Sequence, residues 1–412
     1  MVETLRNRNF TLLWLAQLIS MTGDWVIFIA LPIYIYEQTG SVLATGAMFI
    51  SNVLPRLLVG SVAGVFVDRW NRKRTMIIAD FLRAAIVIVL LGAIAAEQLW
   101  LIFPLAFLES SVSQFFNQAK NAVLPQLVKR RQLVTANSLN ATTENLTRLI
   151  GPPLGGALIG ILGVSSVLLL DAVTYAMSAA VIMLISVPQR RDNTAGQQGT
   201  VGIWTEWLGG LRLVAHNRRH SAVFISVGTA MFGLGILNAL MIVFVAEVFG
   251  GGALQLSSLL AAQAGGGLAA GLLLSQLGRN LQPSRLIPLG AVGMAVLLVA
   301  IVNSPNLAFA IVLTAILGAP IVAFFVSAQT LLHRGVSDAY RGRVFGAFST
   351  TQALTMVGGM GLATLLGDWT GVLPLMHVAA VAFVAAGAFA ALRLFPLSSE
   401  ETLDSERPAR IR

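Results

Sequence analysis

Cysteine is absent from this 412-residue chain. That excludes disulfides, thiolate metal sites and Cys nucleophiles. Charge is scarce as well. Asp, Glu, Lys and Arg make up 11% of the residues, against about 25% in a typical soluble protein. From Leu286 to Leu332 none of the four occurs. There is no Gly-x-x-x-x-Gly-Lys-Ser/Thr sequence, so the chain does not hydrolyse ATP through a P-loop. No His-rich metal cluster and no catalytic set stands out, so no cofactor, metal site or enzymatic activity is expected.

What is present is apolar. Hydrophobic residues make up 56% of the chain, and they come in blocks of the length, about 20 residues, that a helix needs to cross a bilayer. The uncharged run of 286–332 holds two such blocks, turning at Asn303-Ser304-Pro305-Asn306. The class is an all-α polytopic membrane protein. A β-barrel would show short alternating segments instead. The first block starts near Phe10, after Arg6 and Arg8, and runs past Asp24 to about Tyr36. It is too long for a signal-peptide core and reads as a retained first span.

Twelve spans are expected, at about 10–36, 43–67, 75–95, 98–119, 137–162, 165–187, 220–247, 254–277, 285–303, 306–332, 343–366 and 370–393. Alternate connections differ in charge. One set carries Arg6 and Arg8, Arg69 to Arg74, Lys129 to Arg131, Arg190 to Arg219, Arg279 and Arg285, Arg334 to Arg343, and the tail from Arg393. The other set has no Lys or Arg. The positive-inside rule then puts both termini in the cytoplasm; the membrane expected is a bacterial-type plasma (inner) membrane. The rule also accounts for the net charge of +9 without nucleic acid.

The expected organisation is a six-helix bundle over 1–188, a cytoplasmic linker over 189–219, a second six-helix bundle over 220–395 and a tail over 396–412. The linker's first half is polar and contains Gly, hence flexible. Its second half, Trp204, Trp207, Leu208, Leu211 and Val214, has helical spacing. It reads either as an amphipathic helix on the inner leaflet or as a packed structural linker. The halves resemble each other weakly: Gly151 with Gly359, Gly163-Val164 with Gly371-Val372, and Thr147 with Thr355 share one offset.

The loop after span two reads Gly64-Val-Phe-Val-Asp68-Arg69-Trp-Asn71-Arg72-Lys73. It resembles the hallmark motif of the major facilitator superfamily, with Asn71 where that family usually has Gly. Asn tolerates a left-handed backbone better than most residues. The motif's Gly implies close helix approach, and its Asp an acceptor at a helix end. In span five, Gly151, Pro152, Gly155 and Gly156 resemble the antiporter motif of superfamily exporters. Pro bends a helix, and small residues let another helix approach. With Gly23-Asp24-Trp25, Leu54-Pro55-Arg56 and Arg341-Gly342-Arg343, the chain resembles the drug:proton antiporter branch that holds macrolide efflux proteins and the enterobactin exporter. Two pseudo-symmetric bundles are implied, with Asp68 latching near Arg341 and Arg343 as a conformational gate. Span four departs from the branch: it has no Arg and carries Glu109 in its middle.

Eight ionisable residues fall within expected spans of the first half: Asp24, Arg56, Asp80, Arg83, Glu109, Glu144, Arg148 and Asp171. Such residues are costly in a membrane and mark function. Glu144 and Arg148 are spaced for an ion pair. Asp24 and Glu109 lack a partner on their own helices. A carboxyl group taken out of water can exchange a proton near neutral pH, so one of them carries a coupling proton, or both are held in static bridges to Arg56 or Arg148. Asp80 and Arg83 read as structural and nearer the cytoplasmic end. His216, His220 and His333 read as solvated, and His377 as packed. Phe115, Phe116, Phe324 and Phe325 read as packing or as cavity walls.

These features predict a secondary exporter of amphipathic small molecules of drug or siderophore type, working by alternating access and coupled to protons. Its partners are the cargo, protons and membrane lipid, and the working unit is a monomer. The alternatives are a lipid or lysolipid transporter between leaflets, or a membrane-embedded enzyme or receptor.

Overall fold

Helix starts and stops are written locally in this chain. A computed structural model describes residues 2–187, 203–215, 217–277, 282–336 and 338–405. The linker's first half, His216, Arg279 and the last residues of the tail lie outside the described residues. The helices are α1 Val2–Leu5, α2 Arg8–Thr39, α3 Val42–Leu58, α4 Gly60–Arg69, α5 Arg72–Ala95, α6 Leu99–Leu127, α7 Leu133–Leu162 and α8 Val164–Met183. They continue as α9 Ile203–Ala215, α10 Arg218–Phe249, α11 Ala253–Leu277, α12 Pro283–Val302, α13 Leu307–Gly335, α14 Asp338–Thr370 and α15 Val372–Ser405. Asn7 starts α2 by accepting from the backbone N–H groups of Asn9 and Phe10 at 3.1 and 3.3 Å, the usual work of an N-cap. Ser41 caps α3 and Asn306 caps α13 in the same way.

Among the described residues, nine helices are long and apolar enough to cross a membrane, or ten if α3 and α4 form one bent span. α7 falls short because it carries Asn137, Asn140, Glu144 and Arg148, and α14 because Ser349, Thr350, Thr351, Gln352 and several glycines dilute its apolar residues. The span expected over 43–67 is broken. α3 and the later part of α4 meet at 54°, four residues after Pro55, which has no N–H to give to the preceding turn. Gln118 of α6 donates to the Gly60 carbonyl at the break, at 3.2 Å.

Contacts gather the chain into two units, Met1–Val201 with Gly250–Ser258, and Gly202–Phe249 with Leu259–Arg412. Each repeats one packing scheme. In the first unit α2 packs on α7 and α8, and α5 on α6 and α8. In the second, α10 packs on α14 and α15, and α12 on α13 and α15. The corresponding helices also stop in the same way. α2 and α10 end at Gly40 and Gly250, both at φ 60°, and α7 and α14 at Gly163 and Gly371, at φ 78° and 77°. These left-handed positions favour glycine. The close approaches match too: a methyl group on Gly151 would collide with Trp25 of α2, and one on Gly359 with the Phe232 backbone of α10. Lipid tails are as apolar as Leu, so helices here associate through such close packing.

The linker helix α9 packs on α14 and α10, and Trp207 Nε1 donates to Thr351 Oγ1 at 3.1 Å.

Candidate functional site

The charged residues of the first unit converge on Arg83. This guanidinium, 1% exposed, lies midway along α5. It donates to Asp80, one turn earlier, to Asp24 Oδ1 of α2 at 3.4 Å, to Ser20 Oγ at 3.3 Å and to Ser113 Oγ of α6 at 3.2 Å. Its flat face lies between two rings, 4.5 Å from the centre of Phe116 and 4.2 Å from that of Tyr175 on α8. Such cation–π contacts add to the hold when water is excluded. Arg83 is therefore a hub of the site, and it lies midway along α5 rather than nearer the cytoplasmic end, where the sequence placed it.

The hydrogen bonds close into a ring. Ser113 donates to Glu109 Oε1 at 3.0 Å. The Tyr175 hydroxyl lies 2.9 Å from Glu109 Oε1 and 2.7 Å from Asp24 Oδ1. Asp24 returns to Arg83. Asp24, Arg83, Glu109 and Tyr175 come from α2, α5, α6 and α8, so the ring fastens these four helices. Tyr175 has one proton and two carboxyl neighbours. Both links are made only when one of the carboxyl groups is itself protonated and donates to the phenol oxygen.

Asp171 stands behind the ring, 1% exposed, with Thr174 donating to its Oδ1 at 3.2 Å and Oδ2 lacking a partner among the described residues. Asp24, by contrast, is 35% exposed and opens one edge of the ring. Asp24, Asp80, Glu109 and Asp171 surround one guanidinium. Full ionisation would leave a large uncompensated charge away from water, which is expensive.

The other expected partners are placed differently. Glu144 pairs with Lys120 of α6 at 3.0 Å, not with Arg148 one turn away. Neither Arg56 nor Arg148 bridges Asp24 or Glu109; the bridge to Asp24 comes from Arg83. His220 is buried rather than solvated, while His333 stacks on Phe345 at 4.3 Å. His377 sets Nδ1 2.7 Å from the Leu373 carbonyl. Among the described residues no group of three or more His, Cys, Asp or Glu is arranged to hold a metal. A cavity of about 320 Å³ lies at the far ends of α2 and α7, lined by Tyr34, Glu37, Gly160, Gly163, Leu254 and Gln255. It is separate from the ring.

The motif residues are structured by local chemistry. Asn71 is extended at φ −72° and caps α5, accepting from Arg74 N at 3.0 Å. It is not in the left-handed region. A methyl group on Gly64 would meet nothing within 4 Å, so this glycine makes no close approach among the described residues. Lys73 donates to the Met183 carbonyl at the end of α8, at 2.8 Å. Asp68 and Arg69 are exposed, Arg72 is half-buried and Arg343 is exposed; the Arg341 side chain lies outside the described residues. In the second motif, Gly151 and Gly155 press on Trp25 and Val26, while a methyl group on Gly156 would lie 2.9 Å from Ser257 Cβ. Pro152 and Pro153 lie inside an unbroken α7.

A family model described as "Transmembrane secretion effector" matches residues 2–411. The chain belongs to this family of the major facilitator superfamily. It is an integral membrane transporter of small molecules, not an enzyme. The transporter is 26% identical over 369 residues to macrolide efflux protein A of Streptococcus pyogenes, covering 88% of this chain and 90% of that protein. It is 28% identical over 183 residues to the multidrug efflux pump Tap of Mycolicibacterium fortuitum, covering 43% of this chain and 44% of the pump. Among solved structures, a bacterial homologue of the iron transporter ferroportin in an inward-facing state superposes with a TM-score of 0.72 at 16% identity, covering 95% of this transporter and 99% of that chain. A bacterial homologue of the human lysosomal transporter Spinster gives 0.66 at 14% identity, over 98% of each chain. At such identities the likeness is one of fold.

Tyr175 and the central place of Arg83 were not evident in the sequence. The available signals were the i, i+3 spacing of Asp80 and Arg83 and the i, i+4 spacing of Asp171 and Tyr175, each of which puts two polar groups on one helix face.

Proposed function

We propose that the transporter is a secondary exporter of amphipathic small molecules of drug type, working by alternating access of two six-helix bundles across twelve spans. Relatives named for macrolide and multidrug efflux support the direction and the broad cargo class. The charge split between alternate connections supports cytoplasmic termini in a bacterial plasma membrane. The transporter acts as a monomer.

Export is coupled to protons at Asp24 and Glu109. The observation that carries this is the Tyr175 hydroxyl shared between the two carboxyl groups. With a proton on Glu109, Glu109 donates to Tyr175, Tyr175 donates to Asp24, and Asp24 neutralises Arg83. When the proton leaves, two carboxylates face one hydroxyl proton and the ring opens at one link. The partly exposed edge at Asp24 is where a proton enters or leaves. Ring closure and ring opening favour different arrangements of α2, α6 and α8, and cargo is moved by the exchange between them.

The experiment is drug flux in proteoliposomes under an imposed pH gradient. Asp24→Asn and Glu109→Gln should each bind cargo but lose gradient-driven flux, and Tyr175→Phe should reduce it. Full gradient-driven flux in both carboxyl variants would overturn the proton role.

A further inference from the structure

One buried acid of the first unit has no place in the ring. Asp171 of α8 is 1% exposed. A single hydroxyl serves it: Thr174 donates to Oδ1 at 3.2 Å and shares that proton with the Asp171 carbonyl at 2.8 Å. Oδ2 is buried and has no partner among the described residues. No ion pair reaches the group either, because Arg83 is engaged by Asp80 and Asp24.

The wall opposite Asp171 is α2. Gly23 lies so close that a methyl group on it would overlap Oδ1, and the same methyl would sit 2.8 Å from Thr174 Oγ1. No water fits between the glycine and that oxygen. α8 packs on α2, α5 and α7. The titratable and charged groups gathered there are Asp24 on α2, Asp80 and Arg83 on α5, Glu109 on α6 and Tyr175 one turn along α8. α7 carries Glu144, which pairs with Lys120, and Arg148, which makes no ion pair among the described residues.

An ionised Asp171 in this packing would be a buried anion with one shared donor and three other carboxyl groups nearby. Burying an unpaired ion is expensive, whereas a neutral acid forgoes only the hydrogen bonds it misses. The contact of α2 with α8 therefore suits the protonated acid. The ionised acid needs donors, and water supplies them only when Gly23 moves off it.

We propose that Asp171 is a second proton site of the transport cycle, filled while α2 packs on α8 and emptied when the two helices part. This rests on the proton-coupled reading above and adds a proton that the ring does not hold. On parting, the O–H bond of Asp171 breaks. The proton passes to the Asp24 carboxylate, whose edge is 35% exposed, and from there to water. Water then hydrates the Asp171 carboxylate left behind. Proton occupancy and helix packing are linked, since each favours the state in which the other is satisfied. Asparagine has nearly the same shape and no acid proton to give, so Asp171→Asn holds α2 on α8.

The test reads the proton itself and needs no cargo. Infrared spectra of the full-length transporter in proteoliposomes follow the C=O band of protonated carboxyl groups from neutral to alkaline pH. Wild type should show a component that is missing in Asp171→Asn, present in Glu109→Gln and lost reversibly in alkali. Spin labels on Leu15→Cys of α2 and Met183→Cys of α8, both exposed positions, should report a longer distance as that component disappears. With Asp171→Asn the distance should stay short at every pH. A merely structural carboxyl group would move neither reading with pH. Matched melting temperatures establish that the variant folds, and Asp171→Ser serves if it does not. An unchanged band in Asp171→Asn overturns the proposal, because Asp171 then carries no proton. A component that persists in alkali at an unchanged distance overturns it as well, because that proton never leaves. Either result leaves the ring reading standing. Full gradient-driven flux in both Asp24→Asn and Glu109→Gln strikes the ring reading instead, whatever the Asp171 band shows.

Discussion

Gly23 of α2 and Asp171 of α8 touch so closely that a methyl group on the glycine would overlap the carboxylate. The residue after Gly23 is Asp24, and one turn beyond Asp171 is Tyr175. The tight contact therefore sets the distance between two members of the hydrogen-bonded ring. Gly23→Ala should push α2 and α8 apart, costing about 1–3 kcal/mol through overpacking. Transport should fall further than this loss alone explains, because the Tyr175–Asp24 link lengthens. A melting curve beside a flux assay measures both. Wild-type flux in a destabilised Gly23→Ala protein would show that the ring does not depend on this spacing.

Arg83 and Asp80 should behave as a unit. Arg83→Gln leaves Asp80, at 0% exposure, without a counter-charge, and breaking a buried pair in this way costs about 3–5 kcal/mol. The double variant Arg83→Gln with Asp80→Asn removes both charges and should recover most of that stability. It should not recover transport, because Asp24 still lacks its cation. Expression yield and melting temperature report the first effect, and proton-driven flux the second.

Lys120 and Glu144 should respond unequally. The lysine side chain is 3% exposed and the glutamate 49%. Glu144→Ala strands a buried ammonium, whereas Lys120→Met removes it and leaves a carboxylate that water can reach. The glutamate change should lower the melting temperature more, even though it alters the more exposed partner. Equal effects would mean that the pair contributes little beyond its surface share.

The basic loop separates into a stability part and a transport part. Lys73→Met removes the bond to the α8 carbonyl and should cost about 1 kcal/mol. Asp68 has no hydrogen-bond partner among the described residues, so Asp68→Asn should leave the melting temperature unchanged. If Asp68 latches the cytoplasmic side, that variant should still slow flux and raise labelling of single cysteines placed on that side. The native chain has no cysteine to interfere.

The positions of the helices were legible in the sequence because each is a local property: an apolar run, an Asn or Ser cap, a glycine stop. Asp24 and Glu109 stood out by the same logic, as acids inside oily segments. What holds them was not legible, because Arg83 and Tyr175 reach them from helices far along the chain. Tyr175 also reads as one more ring in an apolar segment, since only its hydroxyl is polar. Spacing along one helix suggested that Glu144 pairs with Arg148. The fold gives Glu144 to Lys120, and that preference is set between helices, where sequence spacing says nothing. The break in the second span was foreshadowed only by Pro55.

The matched stops at Gly40 and Gly250, and at Gly163 and Gly371, mean that each half carries its own instructions for two corresponding turns. The chain could accordingly be supplied as two separate polypeptides, cut between Val187 and Ile203, with each piece still knowing where those two helices end.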